Sequence, residues 1–148
     1  MIKLLSAGTV VELSTTAATS LTDPTITAWT DISCALTGIS TETTEREQIE
    51  TTSLCETYSK TYVDGLKDQD TASSDAFFNP KSVEGKALSD AAASNDTYAL
   101  KVTFVDGSTW ESLARVQPFG FNASVGDTIK TTINFKLVGE PKLTPAIV

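Results

Sequence analysis

Alternation of apolar and polar residues is strongest in the second half of the chain, where it predicts β-strands. From Ile129 to Val138 the odd-numbered residues form a largely apolar face, and the even-numbered ones up to Lys136 are polar. The runs Tyr98 to Val105 and Thr109 to Val116 also alternate, and the Asp106-Gly107 pair between them is typical of a tight hairpin turn. A second hairpin is predicted from Phe119 to Val125, through Gly126-Asp127, to the strand that begins at Ile129. Gly139-Glu140-Pro141 should end that strand, which leaves residues 142–148 as a C-terminal arm.

The first half of the chain has weaker strand signals. Short runs are predicted at Thr9 to Leu13 and Ala76 to Phe78, and a longer strand at Ile26 to Gly38, after a polar loop from Ser14 to Pro24. The longer strand would place Cys34 on its apolar face with Ile32 and Leu36, so we expect a buried, inert thiol there.

One helix is predicted between the two halves. Ser82 can cap its start and Asn95 can end it, and a stripe of apolar residues runs between them: Val83, Ala87, Leu88, Ala91 and Ala92. The order of elements predicts a mainly β protein, a sandwich or barrel-like fold with one flanking α-helix, formed by a single domain over residues 1–148.

The segment from Gly38 to Asp75 lacks this regularity. It is Thr-rich and acidic, and a loop of this length without structure of its own is uncommon and usually functional or disordered. Isolated apolar residues occur along it: Ile39, Ile49, Leu54, Tyr58, Tyr62, Val63 and Leu66. We interpret residues 38–75 as a long assembly loop that becomes ordered against a partner, and these seven residues as candidates for contacts between subunits.

Charge and residue content exclude several kinds of function. The net charge of −8 argues against general adhesion to nucleic acid, which depends on lysine and arginine. The sequence contains no histidine, which excludes Ser-His-Asp triads, Cys-His pairs and histidine metal sites. Gly85-Lys86 lacks the rest of a phosphate-binding loop, and Asp68-Gln69-Asp70 lacks the rest of a calcium loop. We therefore predict no cofactor, no metal and no enzymatic activity.

Three motifs in the first half and three in the second half occur together in an informative order. The first set is Trp29-Thr30-Asp31-Ile32-Ser33, Ile49 to Leu54 (IETTSL) and Tyr62 to Asp68 (YVDGLKD). The second set is the alanine-rich helix, Val102 to Trp110 (VTFVDGSTW) and Thr132 to Pro141 (TINFKLVGEP). In this order and spacing, over about residues 8 to 142, the chain resembles major tail tube proteins of long, non-contractile-tailed bacteriophages.

The resemblance implies a structural subunit of the virion tail. Such proteins form six-membered rings that stack into a hollow tube for delivery of the viral genome, with subunit sheets joined edge to edge inside and the helix outside. The implied partners are further copies of the chain and the tape-measure, tail-tip and tail-terminator proteins of the same virus. DNA would pass through the lumen without specific binding, along an acidic lining that repels phosphate.

Two alternatives remain open at this level. The number of strands also fits an immunoglobulin-like binding or capsid decoration domain, which would stay a monomer or a small closed oligomer. The many carboxylates could include the pair of a hydrolase, although no particular pair is indicated. No secretory or membrane-spanning segment is expected, so the chain should fold in the host bacterial cytoplasm before it joins the virion.

Overall fold

The computed structural model describes residues 3–4, 6–23 and 26–147. In this part of the chain the strands are β1 Val10–Ser14, β2 Trp29–Asp31, β3 Ser40–Glu42, β4 Arg46–Glu50, β5 Tyr62–Lys67, β6 Thr71–Phe77, β7 Thr97–Thr103, β8 Thr109–Val116 and β9 Lys130–Thr144. An α-helix, α1, spans Val83–Ser94, and a short 3-10 helix spans Ser33–Ala35. Two predicted end points, Pro24 of the first loop and Val148 of the C-terminal arm, lie outside the described residues.

Seven of these strands form one antiparallel sheet in the order β2-β1-β7-β8-β9-β6-β3, while β4 and β5 pair only with each other. The mainly β class with one flanking helix is therefore confirmed. One face of the seven-stranded sheet carries the hydrophobic core, to which α1 contributes Leu88 and Ala91. We call the opposite face of the sheet the helix-free face.

Strand β9 organises the sheet and has the predicted alternation. Thr131, Ile133, Phe135 and Leu137 are buried, while the lysines and polar residues between them are exposed. Phe135 is paired with Ala72 of β6 on one side and with Val116 of β8 on the other.

The predicted hairpin partner of β9 is wrong. Residues 119–125 form no strand, and only an isolated bridge joins Asn122 to Lys130. Strand β6 pairs along the opposite side of β9, where the Ile129 carbonyl accepts from the Phe78 N–H. Phe119 leaves the expected alternation and packs against the core.

The helix begins and ends as predicted. The Ser82 hydroxyl accepts a hydrogen bond from the Gly85 N–H at 3.0 Å, and Asn95 adopts the left-handed conformation (φ 56°) that ends the helix. Leu88 and Ala91 are buried, but Val83 is exposed, so the apolar stripe is shorter than predicted.

The strand predicted from Ile26 to Gly38 is mostly wrong, because local hydrogen bonds override the alternation. The Ser33 N–H donates to the Asp31 carboxylate at 2.9 Å, and the Ser33 hydroxyl accepts from the Val11 N–H at 2.7 Å. The chain turns into the 3-10 helix at this point. Ile32 is buried as expected, whereas Cys34 is exposed, which corrects the prediction of a buried thiol.

The sheet curls until its two edges approach each other. Beside β2, the Ile32 N–H donates to the Val11 carbonyl, and four residues later Leu36 forms a bridge with Ala76 of β6. Four residues span at most about 14 Å. The two edge strands of the sheet, β2 and β3, are six strand spacings apart, which would be about 29 Å if the sheet were flat. The connection therefore requires a barrel-like curvature.

The predicted end of the sheet at Gly139-Glu140-Pro141 is also wrong, because β9 continues to Thr144. The pairing of β8 with β9 shifts register between Glu111 and Leu113. Residues 139–141 therefore lie in β9 as an unpaired irregularity, and the strand continues beyond them. The C-terminal arm is correspondingly shorter than residues 142–148, and the Ala146 N–H ties it to the Ser108 hydroxyl at 3.0 Å.

Gly85 provides a test of how the helix start is packed. Replacing a helical glycine with alanine ordinarily stabilises a helix by about 1 kcal/mol. Here a Cβ would overlap the Asn79 carbonyl oxygen. We therefore expect Gly85→Ala to lower the free energy of unfolding by about 1–3 kcal/mol, measured by urea denaturation.

The control is Ala93→Gly on the exposed side of the same helix, which should cost about 1 kcal/mol from helix propensity alone. A gain in stability for Gly85→Ala would contradict the close approach of Asn79.

Candidate assembly surfaces

The segment from Gly38 to Asp75 is not a loop without structure of its own. Its ends form β3 and most of β6, both within the seven-stranded sheet, and its middle forms the β4–β5 pair. Most of β6 was not predicted from the sequence, because the residues that this strand buries are small: Ala72, Ser74 and Ala76. We call residues 43–70, which extend beyond the sheet, the hairpin arm.

The hairpin arm is a two-stranded ribbon with little of its surface buried. Ile49 lies opposite Val63 on one face, and Glu50 lies opposite Tyr62 on the other. The pairing shifts between Arg46 and Gln48. All residues of β4 and β5 are exposed except Gly65, which is half-buried.

Six of the seven predicted contact residues are exposed along this arm. Ile49, Tyr62 and Val63 are about half exposed, Leu66 is largely exposed, and Leu54 and Tyr58 at the tip are fully exposed. Ile39 differs from these six, because it is half-buried against the core. Within this chain, therefore, the six large side chains bury little of their apolar surface.

Asp70 holds the base of the arm to the sheet. Its carboxylate is buried and accepts hydrogen bonds from the Thr44 N–H at 2.9 Å and from Lys67 Nζ at 3.0 Å. Its carbonyl oxygen accepts from the Leu137 N–H at 3.0 Å. The Thr44 N–H and the nearby Lys67 ammonium outweigh burial and hold the pKa of Asp70 below its ordinary value.

The helix-free face of the sheet is rich in charged groups but has no excess of either sign among its paired residues. Five carboxylates and five cations lie on it: Glu12, Asp31, Glu42, Asp75 and Glu111, and Lys101, Arg115, Lys130, Lys136 and Lys142. One row crosses β1, β7, β8 and β9 with alternating sign, because Glu12, Lys101, Glu111 and Lys142 lie directly opposite one another in turn. The acidic excess of the chain therefore lies elsewhere.

A group of aromatic and aliphatic side chains at one end of the sheet was missed by the sequence analysis. The Phe78 ring stacks on Phe121 with centroids 5.6 Å apart and meets Phe119 edge-on at 6.3 Å. We call the apolar residues at this end of the sheet the aromatic patch. It comprises these three rings, Ile129, whose carbonyl accepts from the Phe78 N–H, Val125 in the loop that the Asn122–Lys130 bridge closes, and Phe77, which follows Asp75 on the helix-free face. Phe121 is 68% exposed and Val125 is fully exposed. Four of the six phenylalanines of the chain lie here, and that concentration is the one signal the sequence offered.

The described residues hold no group of three or more potential metal ligands, and none of their helices is long and apolar enough to cross a membrane. A pocket of about 160 Å³ is lined by Ile39, Thr41, Val102, Phe104 and Trp110, none of which titrates near neutral pH.

The attachment of the hairpin arm at Asp70 can be tested by removing its charge. Asp70→Asn eliminates the ion pair with Lys67 and weakens the bond from Thr44, so the free energy of unfolding at pH 7 should fall by about 1–3 kcal/mol. Because the folded-state pKa is lowered, the stabilisation is fully present above about pH 4 and is lost as the pH falls through that lowered pKa. Urea denaturation across this pH range should show the two proteins converging in acid.

The control for this test is Asp127→Asn. Asp127 also has a lowered pKa, owing to the Thr128 N–H and then Lys130, but its side chain is more than half exposed. The variant should match the unaltered chain in stability. Equal losses in the two variants would show that Asp70 has no special role.

Comparison with known proteins identifies the family. A model of the lambda-like phage tail tube protein family matches residues 9–137. A search of curated protein sequences finds no match.

Solved structures share the fold at low sequence identity. The SPP1 tail tube matches with a TM-score of 0.69 and 10% identity, covering 99% of this chain and 81% of that one. The tail of an empty gene transfer agent particle, refined with C6 symmetry, matches with a TM-score of 0.66 and 12% identity, covering 92% and 95%. The sheath/tube terminator of the extracellular contractile injection system PVC matches with a TM-score of 0.66 and 11% identity, covering 98% and 99%. Because the family model matches most of its length, the chain belongs to the lambda-like family of phage tail tube proteins.

Proposed function

We propose that this chain is the repeating subunit of a phage tail tube, in which six-membered rings stack into a hollow conduit for the viral genome. Its family membership supports the role in the tail, and the C6 symmetry of the similar gene transfer agent tail supports the ring number. The role is structural and involves no catalysis. The observation that carries the proposal is the exposed hairpin arm.

The arm has the properties of a segment that needs a partner. A two-stranded hairpin alone in water is marginally stable at best. This arm also exposes six large apolar side chains on a strongly charged protein. Burial of one such side chain contributes about 1.5–3 kcal/mol. A neighbouring subunit that covers Leu54 and Tyr58 at the tip would therefore stabilise both the arm and the assembly.

The two faces of the sheet suit the inside and outside of a tube. Helix α1 covers the core face, so the helix-free face is the one available to line a channel. That face has equal numbers of cations and carboxylates among its paired residues, so the acidic lining expected from the sequence does not apply to it. Without an excess of cations it offers little counterion release to bind DNA, which fits passage without specific binding.

Partners at the ends of such a tube follow from the same role. A tube of identical rings needs a different protein wherever it starts and stops, and a means of setting its length. We assign these roles to tail-tip, tail-terminator and tape-measure proteins of the same virus. An immunoglobulin-like binding domain fits less well, because one curled sheet with a helix between β6 and β7 replaces the two facing sheets of that fold.

Replacing the hairpin arm tests the proposal. Glu42 and Thr71 are directly opposite one another, so an Asn-Gly turn in place of residues 43–70 can join β3 to β6 and keep the paired residues of both strands. The glycine carbonyl would take the place of the Asp70 carbonyl beside the Leu137 N–H. We expect this variant to remain folded by circular dichroism and to form no tubes by electron microscopy. The unaltered chain should form hollow tubes under the same conditions.

A milder pair of substitutions serves as the control for folding. Leu54→Ser with Tyr58→Ser removes two fully exposed apolar side chains, so monomer stability should be unchanged while tube formation falls at least tenfold by light scattering. Normal tubes from the chain without its arm would exclude the arm from assembly.

A further inference from the structure

We propose that the aromatic patch of one copy of this chain receives the hairpin-arm tip of the copy stacked next to it. The inference rests on the proposed function and deepens it, because it assigns both halves of the contact between rings. The occupant is a second copy of this chain, and its contacting residues are Leu54 and Tyr58 at the tip. Position, exposure and charge support the assignment.

The two surfaces lie at opposite ends of the same strand. β6 begins at Thr71, directly after the hairpin arm, and ends at Phe77, within the aromatic patch. Seven residues of strand place these ends about 20 Å apart. A copy displaced along the strand direction therefore brings its arm toward the patch of the next copy.

The exposed chemistry of the two surfaces matches. Phe121 and Val125 present apolar area that no other described part of the chain covers, and the arm tip presents an aromatic and an aliphatic side chain. The Phe78 ring, held between Phe119 and Phe121, gives the patch a fixed floor. An aromatic side chain such as Tyr58 packs well against such rings.

Charge favours the same pairing. The hairpin arm carries seven carboxylates and three cations: Glu45, Glu47, Glu50, Glu56, Asp64, Asp68 and Asp70, against Arg46, Lys60 and Lys67. Two lysines and one carboxylate, Asp127, border the patch, which therefore carries a net positive charge. Lys81 follows the Asn79-Pro80 turn, and Lys130 lies opposite Phe77. The only ion pair that Lys130 forms among the described residues is with exposed Asp127 at 3.5 Å, which leaves most of its charge available.

The two sides of this contact are different surfaces, an arm and a patch. After two copies have joined, one copy still has a free patch and the other a free arm, so further copies can be added. An interface that joins an arm to a patch at opposite ends of a subunit generates an open stack, which is the geometry a tube requires.

The native cysteine at the arm tip allows a direct test. Cys55 is exposed between Leu54 and Tyr58, and Cys34→Ser removes the other thiol. In that background we add Val125→Cys, assemble the protein, and treat it with a short bis-maleimide that joins two nearby thiols. Because each copy then carries one thiol on the arm and one in the patch, we expect a ladder of covalent oligomers that extends beyond six subunits on a denaturing gel.

The matched control carries Ala93→Cys in place of Val125→Cys, which puts the second thiol on the exposed side of α1. It should give at least tenfold less cross-linked product, and Cys55→Ser should abolish the ladder. A ladder that stops at six would assign the contact to neighbours within a ring and overturn the stacking contact. Tubes that form but cross-link no more than the control overturn this inference alone, whereas a failure to form tubes at all overturns the proposed function with it.

Discussion

The whole sheet depends on burial of one side of β9. In the seven-stranded sheet, β9 is the strand that joins the two halves: β1, β2, β7 and β8 lie on one side of it, and β3 and β6 lie on the other. The side chains of Ile133, Phe135 and Leu137 fill the core at this junction and are almost completely buried. A slip of one residue in the pairing of β9 would turn these side chains out and bring lysines in, so burial fixes the register of both halves.

This register also fixes what the two ends of the molecule present. Thr71 lies opposite Lys136, which sets where the hairpin arm leaves the sheet, and Phe77 lies opposite Lys130, which sets where the aromatic patch forms. The buried Asp70 carboxylate then holds the base of the arm through Thr44 and Lys67. Core packing and assembly surfaces are therefore parts of one arrangement, and a change in the first displaces the second.

The sequence predicted those features whose signal is local. The alternation of β7, β8 and the first part of β9, the Asp106-Gly107 turn and the Ser82 cap all depend on residues close together in the chain. Pairing of β6 with β9 does not, since Asp75 and Thr132 are 57 positions apart and β6 buries only small side chains. The exposure of Cys34 depends on a bond between Ser33 and Val11, 22 positions away. Exposed apolar residues of the arm were visible in the sequence, but the aromatic patch needed the fold to bring Phe78 onto Phe121.

The alternating row of Glu12, Lys101, Glu111 and Lys142 has a consequence for any charged polymer that passes the helix-free face. Neighbouring strands are about 4.8 Å apart, so opposite charges in the row alternate within a distance shorter than the screening length of about 8 Å in physiological salt. Their fields largely cancel a few ångströms above the sheet. In the proposed tube, a phosphate backbone gliding past would therefore meet a nearly flat potential, in which no position along the channel holds it back.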